Sequence, residues 1–510
     1  MRSPFAKART TTLEPWDLPR PWWRGRLGSA ALLVVLALTG SGIYLGTRPA
    51  STSCADGVAH VGADSACVGL TDGAFPFSPD LKDVFGRIRT ENSSVREAGA
   101  KPGGTPWVSV VYLMPMVQGQ DGSTTADSIR HEIEGAYAAQ LEANHRYISG
   151  DSPKIRLLLG HTGATDIQRD YTLGRIEAQR SADHVVAVAG LGTSTESTKA
   201  AILRLTKEDI AAFGAVITAD DLQDIPGLVR VAPPNSDEAT AAAAYLAKDY
   251  PNAKVLVVQD RKSDDLYSRT LADQFRKSYP PELQDKQPME YDSSKSDVST
   301  YFLLQMANLC NSSPDVVFFA GRGIHLPRFL EPLSHRSCAG KQVTVISGDD
   351  ASEVVQSPDI GLVRQDLQQG NITLLYTGLA HPGAWQVRPQ SYARTAIEPF
   401  QDGGEFKAAF PQESLTDGQA VMGHDAVLTA VTAIRSAAAG GAPVTGPDVV
   451  QMLTSLYGTR AVSGASGLIS LGADGNPKNK AIPIVRLTPD AQVSTVAVTS
   501  STGTPPDGHP

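Results

Sequence analysis

One stretch of this chain is built to hold an anionic group. His184–Ala189 is a short apolar run, Gly190-Leu-Gly-Thr-Ser-Thr195 follows it, and an apolar-periodic segment runs on to Thr206. A strand, a tight loop and a helix N-terminus fit that order, and such a junction presents backbone N–H groups and the positive end of a helix dipole. Thr193, Ser194, Thr195, Ser197 and Thr198 add hydroxyl donors, and Gly192 lets the backbone approach a ligand closely. Helix capping uses the same residue types, and both roles can hold at once. Two acidic pairs also follow apolar runs. Thr218 precedes Asp220-Asp221, and Gly348 precedes Asp349-Asp350. Carboxylates there permit a cationic ligand group.

Catalytic signatures are missing. There is no Gly-x-Ser-x-Gly elbow and no Walker loop, and Gly190-Leu-Gly192 lacks the third glycine of a dinucleotide loop. His131, His145, His161 and His184 fall on different segments, which suits surface or hydrogen-bonded histidines better than a metal centre. No cysteine pair has zinc-site spacing. The sequence therefore points to binding without chemistry, with no metal and no cofactor.

The first 26 residues carry net charge +4 and the remainder −13. An acidic bulk disfavours nucleic acid as a partner. Between Arg26 and Arg48, residues 27–47 contain no charged side chain. A helix of that length spans about 30 Å, the thickness of a bilayer core. Trp16, Trp22 and Trp23 beside it suit a retained anchor better than a cleaved signal peptide. The expectation is a single-pass cell-membrane protein with a basic cytoplasmic tail (1–26), an anchor (27–47) and its main domain outside. All four cysteines lie on the outer side. Three pairings are open, and proximity favours Cys54–Cys67 and Cys310–Cys338, in an oxidising compartment.

These groups need a scaffold, and the chain supplies an alternating one. Residues 48–104 are rich in Gly, Ser, Ala and Pro, and read as a stalk with a short helix near Leu81–Arg89. From Trp107 onward strands and helices alternate, the pattern of an α/β protein with parallel sheets. Trp107–Leu113, Ile155–Leu159, His184–Ala189 and Ala215–Thr218 read as strands of a first set. Val255–Val258, Val316–Phe319 and Val343–Ile346 begin a second. Ile372–Tyr376, long helices near Gly418–Ala438 and Pro447–Leu456, and a β pair at Gly467–Ser470 and Ile482–Leu487 follow. Residues 491–510 read as a disordered tail.

Across Trp107–Leu487 the chain resembles the type I periplasmic solute-binding proteins, the group of the leucine/isoleucine/valine-binding proteins. The likeness rests on Val110-Val-Tyr-Leu-Met-Pro115, Ile133–Ala138 with Asn144, Asp183–Thr198, Val229–Asp237, Asp264-Asp-Leu-Tyr267, Gly423-His-Asp-Ala-Val427 and Ser466–Asn479. It implies two flavodoxin-like doubly wound lobes. Lobe 1 would take about 105–222 and 351–460, and lobe 2 about 223–350 and 461–490. Three crossovers would join them near Asp220–Val229, Ser347–Ala351 and Thr459–Ile484. A ligand would be caught as the lobes close. The resemblance assigns the Gly192–Thr195 loop to a ligand carboxylate, Thr218 and Asp220 to the cleft, Tyr267 to covering the ligand, and Asp349 or Asp350 to its ammonium. His424 replaces the family's tyrosine and reads as packing; Arg230 reads as a structural ion-pair partner. The implied function is capture of a small polar solute, an amino acid or amide, for an ABC-type permease. The alternative is a sensory or scaffold ectodomain that acts through protein partners.

Overall fold

The apolar runs of the first half line up side by side because both of their faces are buried. The computed structural model describes residues 53–508, apart from 64–65, 120–122, 296, 440–442 and 491. The basic tail and the apolar run at 27–47 lie outside the described residues. Among the described residues no helix is long and apolar enough to cross a membrane.

Strands β1 (Ser53–Ala55), β2 (Val58–Val61) and β3 (Ala66–Thr71) lead into helix α1 (Lys82–Gly99). β4 (Trp107–Met114), α2 (Ala126–His145), β5 (Lys154–His161), α3 (Asp166–Gln179), β6 (Val185–Gly190), α4 (Glu196–Lys207), β7 (Ala211–Gly214) and β8 (Leu228–Arg230) follow. They form one eight-stranded sheet, β1-β2-β3-β5-β4-β6-β7-β8, parallel from β5 to β8. Then come α5 (Asn235–Asp249), β9 (Val255–Asp260), α6 (Leu266–Ser278), β10 (Met289–Tyr291), α7 (Val298–Ser312), β11 (Val316–Ala320), α8 (Leu326–Ser334), β12 (Val343–Ser347), α9 (Ile360–Gln369) and β13 (Ile372–Thr377). The last stretch holds α10 (Ala384–Val387), α11 (Arg394–Ile397), α12 (Glu405–Ala409), α13 (Gln419–Ala438), α14 (Gly446–Leu453), the hairpin β14 (Val462–Gly464) and β15 (Gly467–Ile469), then β16 (Ile482–Leu487) and β17 (Val493–Thr499). The second sheet runs β10-β9-β11-β12-β13-β16-β17, with β16 and β17 antiparallel. Each sheet has an apolar core on both faces, which explains the near-continuous Val, Ile and Leu runs.

Five expectations change. The β pair expected at Gly467–Ser470 and Ile482–Leu487 does not form, because β15 pairs with β14 and β16 enters the second sheet between β13 and β17. The stretch read as a stalk builds β1–β3 and α1 into lobe 1. Leu81, Val84, Phe85 and Ile88 are buried in its core, and Asn92 donates to the Leu157 carbonyl at 2.8 Å. The strand expected at Ala215–Thr218 lies at Ala211–Gly214, and the following residues leave the sheet toward the cleft. Each sheet keeps one strand more before the chain crosses. β8 therefore stays in lobe 1, β13 stays in lobe 2, and the first two crossovers fall after Arg230 and after Thr377. The supposed disordered tail supplies β17, paired with β16, and Ser391 Oγ donates to the Pro506 carbonyl at 2.5 Å. Disulfides join Cys54 to Cys67 and Cys310 to Cys338.

Helices α2 and α13 cross in lobe 1 at two glycines. A Cβ on Gly135 would stand 1.8 Å from the Ala420 carbonyl oxygen, and one on Gly423 would stand 2.1 Å from that of Glu132. Gly135→Ala is therefore expected to destabilise the domain by ~1–3 kcal/mol, although alanine is the better helix former. Urea unfolding checks this; an unchanged midpoint would mean the helices do not meet there.

Candidate functional site

The loops after β4, β6 and β7 of lobe 1 face those after β9, β11 and β12 of lobe 2, at the carboxyl ends of the parallel strands. That is where open α/β sheets place ligands. Lobe 1 brings Met114, Gly192, Thr193, Ser194, Val216 and Thr218 to the cavity, and α2 adds Glu132. Lobe 2 brings Tyr267, Arg322, Asp349, Asp350 and Glu353, and Gln419 enters from the start of α13. The enclosed space measures about 20 Å³, room for about one water. A larger depression of about 670 Å³, lined by Tyr147, Arg435 and Arg460 among others, lies on lobe 1. It contains none of the predicted ligand residues, so the interlobe cleft is the candidate site.

Arg322, two residues beyond the end of β11, fills the centre. Its Nη2 donates to Asp265 Oδ1 at 2.7 Å and its Nε to Asp265 Oδ2 at 3.1 Å. Nη1 reaches Asp350 Oδ1 at 3.3 Å, and Nη2 crosses the cleft to the Ser194 carbonyl at 3.0 Å. The guanidinium lies 4.8 Å from the Tyr267 ring centre. Burial opposes its charge, but Asp265 and Asp350 outweigh that and raise its pKa. The same pairing overcomes burial at Asp265 and holds its carboxyl below the ordinary range.

Four further hydrogen bonds bridge the lobes. Ser123 Oγ donates to Asp350 at 2.7 Å. Thr125 N and Ser128 Oγ donate to Glu353 Oε2 at 2.9 and 2.8 Å. Gln419 Nε2 donates to Glu353 Oε1 at 3.3 Å. Glu353 has its pKa raised by burial first and by Asp350 next. Asp349 is pushed up to about 7 by burial and then by Asp350. Behind it Glu238 accepts from Asp349 N at 3.1 Å and from Thr377 Oγ1 at 2.6 Å, and burial and Asp349 raise its pKa.

Two buried polar atoms in this region, Thr193 Oγ1 and Gln419 Oε1, have no hydrogen-bond partner; Asp349 Oδ1 and Glu238 Oε1 receive no N–H or O–H donor from elsewhere, and the two carboxyls face each other as a pair that one proton can join. Such atoms are costly in an interior and call for an account.

The predicted residues divide. Gly192, Thr193, Ser194, Thr218, Tyr267, Asp349 and Asp350 line one cavity. Thr195 and Asp220 do not. Thr195 caps α4, its side chain accepting from Thr198 N at 3.1 Å. Asp220 turns toward Ser236 and Arg230, whose influence opposes the upward pull of burial on its pKa. Ser194 is partly committed as well: its Oγ accepts from Thr218 N at 2.9 Å and from Ala219 N at 3.2 Å, tying the two loops together. Arg230 packs structurally, but on Asn476 Oδ1 and the Ala219 carbonyl instead of an acid. His131 is hydrogen-bonded to Asp417 and Glu413. Sequence reasoning missed Arg322, Glu353, Gln419 and Glu238. The signal available for Arg322 was its place between Gly321 and Gly323 directly after an apolar strand.

No family model matches the sequence, and no curated protein matches it. The similarity is structural. The leucine-binding protein LivK of Thermotoga maritima is 19% identical, with a TM-score of 0.58, over 77% of this chain and 98% of that one. LivJ of Streptococcus pneumoniae, a branched-chain amino acid transporter substrate-binding protein solved with isoleucine, is 18% identical, with a TM-score of 0.55, over 78% and 99%. An ABC transporter substrate-binding protein of Desulfitobacterium hafniense, solved with leucine, is 16% identical, with a TM-score of 0.58, over 77% and 99%. The chain therefore has the two-lobe α/β fold of the type I periplasmic binding proteins.

Proposed function

We propose that this protein captures a small solute carrying an ammonium group, with an amino acid as the best-fitting class, by closing its lobes over it. The observation that carries this is that the unpartnered Thr193 Oγ1 and Gln419 Oε1 of lobe 1 and the Asp349 carboxyl of lobe 2, whose Oδ1 receives no N–H or O–H donor, line one cavity. Thr193 Oγ1 and the Arg322 guanidinium can serve a carboxylate, while Asp349, with Glu238 behind it, can serve an ammonium. Arg322 must release Asp350 or Ser194 to admit such a ligand, because the closed cavity is too small for it. Structural neighbours that bind leucine or isoleucine support the amino acid class. We further infer extracytoplasmic placement, a retained anchor at 27–47 with the N-terminus inside, and delivery to an ABC-type permease. The charge asymmetry, the disulfides and the transporter-associated neighbours support this.

Thermal unfolding of denaturant-stripped, refolded protein against leucine, lysine, glutamine and putrescine tests the reading. A true ligand at a hundredfold above Kd stabilises by about 2.7 kcal/mol. Asp349→Asn is expected to abolish that shift while leaving the fold intact. No shift with any of the four compounds, or an equal shift in Asp349→Asn, contradicts it.

One observation favours a second reading. Arg322, Ser123, Thr125 and Ser128 already bridge the lobes through protein contacts alone. A domain latched shut in this way would act as a scaffold or sensor for a protein partner.

A further inference from the structure

We propose that His131, Glu134 and Glu413 form a divalent-cation site in lobe 1, separate from the interlobe cleft. His131 and Glu134 stand three residues apart on α2, so they share one helix face. Glu413 comes from the segment between α12 and α13. One ligand atom of each lies within 4.8 Å of the others. The His131 Nε2 to Glu413 Oε2 distance is 3.1 Å, near the ~3.4 Å edge of a tetrahedral site with metal–ligand distances of about 2.1 Å.

Two features point to a cation and not to acids gathered by chance. Asp417, whose side chain has 0% exposure, sits 2.6 Å from His131 Nδ1. A carboxylate on Nδ1 fixes the tautomer that leaves Nε2 to coordinate, the usual support of a metal-bound histidine. Independently, Glu134 is 3% exposed, and its Oε2 is buried without a hydrogen-bond partner. A cation would satisfy that oxygen. Glu413, with a side chain 27% exposed, provides the entry side.

Arg130 is the competitor. Its Nη2 lies 2.8 Å from Glu413 and 3.4 Å from His131 Nε2, its Nε 3.5 Å from Glu134 and its Nη1 2.6 Å from Asp127, so the guanidinium touches all three ligands. The Arg130 and Asp127 side chains are 21% and 44% exposed, so the proposal requires the guanidinium to swing out onto Asp127 at the surface, leaving Glu413, Glu134 and His131 Nε2 to the metal. An imidazole with two carboxylates suits zinc or manganese better than calcium.

Calorimetric titration of the metal-stripped full chain with Zn²⁺ tests the site. One zinc per chain is expected, at least tenfold weaker in Glu134→Gln and in His131→Gln, and 10- to 100-fold weaker in Asp417→Asn. Arg130→Gln is expected to bind at least as tightly as the parent, and Asp349→Asn, in the cleft, equally tightly. Circular dichroism confirms that the near-isosteric Glu134→Gln is folded. Absence of zinc uptake by the parent, or parent-like affinity in folded Glu134→Gln, overturns the proposal. Loss of zinc in Asp349→Asn alone places the ion in the cleft and overturns it as well.

Discussion

Arg322→Ala is expected to lower the unfolding free energy by about 3–5 kcal/mol, because it leaves Asp265 and Asp350 buried without their counter-charge. Asp265 also caps α6 by accepting from Tyr267 N at 3.1 Å, and Asp350 is buried behind Ser123. The loss therefore spreads to the α6 start and to the turn after β12. Arg322→Lys keeps the charge but not the fork that meets both oxygens of Asp265, so it should recover only part of the loss. The second consequence is mechanical. Arg322 Nη2 is the donor that reaches the Ser194 carbonyl on the opposite lobe, so its removal weakens the closed state as well as lobe 2. Urea unfolding followed by tryptophan fluorescence measures the first effect. A loss below about 1 kcal/mol would place Arg322 in solvent, the regime of exposed ion pairs, not at the centre of the cleft.

The second large effect lies where the C-terminal hairpin meets lobe 1. Asp425 accepts from Ala465 N at 3.1 Å, Ser466 N at 2.8 Å and Ser466 Oγ at 2.5 Å, and His424 Nδ1 lies 2.9 Å from it. Lys480, fully buried, donates to Ser466 Oγ at 2.7 Å. Asp425→Ala strands these donors and two cations in the interior, and should cost about 3–5 kcal/mol. His424 adds a pH signature. Burial lowers its pKa, but Asp425 and Glu142 outweigh burial and raise it to about 9. A base with a raised folded-state pKa stabilises fully below its unfolded value near 6.5, and that contribution disappears as pH climbs through about 9. The stability advantage of the parent over His424→Gln should thus shrink by about 3 kcal/mol across that window. Lys480, lowered by burial to about 8, acts in the opposite sense above that pH. It is present in both proteins and largely cancels in the difference. A pH-independent difference would mean that His424 is neutral in the fold.

The cleft was legible in the sequence wherever its residues are local to one strand end. The Gly192–Ser194 loop after β6 and Asp349-Asp350 after β12 sit at carboxyl ends of parallel strands, and strand pattern alone finds such positions. The α4 cap at Thr195 and the loop-stapling Ser194 hydroxyl use the same residue types as a ligand loop, so composition could not separate those roles. The position of Arg322 between two glycines after β11 was readable, but its role was not, and Glu353 and Gln419 gave no local signal, because their meaning comes from partners far away in the chain: Ser194 for Arg322, Thr125 and Ser128 for Glu353, and Glu353 for Gln419. The supposed stalk shows the same limit at the level of fold. β1–β3 are short, Gly57 and Gly69 take positive φ, and nothing local says that β3 will pair with β5. The buried face of α1, by contrast, is written in the spacing of Leu81, Val84, Phe85 and Ile88.

Linkage between an ammonium-bearing solute and lobe closure is the central claim. The measurement that reaches it most directly is the distance between spin labels on Leu203→Cys in α4 and Asp273→Cys in α6, with all four native cysteines paired in disulfides. In stripped, refolded protein the distances should be broad and include a long, open population. Leucine, lysine, glutamine or putrescine, whichever raises Tm, should collapse them to the single closed distance in the parent and leave Asp349→Asn broad. A single closed distance without any solute, unchanged by all four compounds, would contradict solute capture and leave a domain held shut by Arg322 and its neighbours.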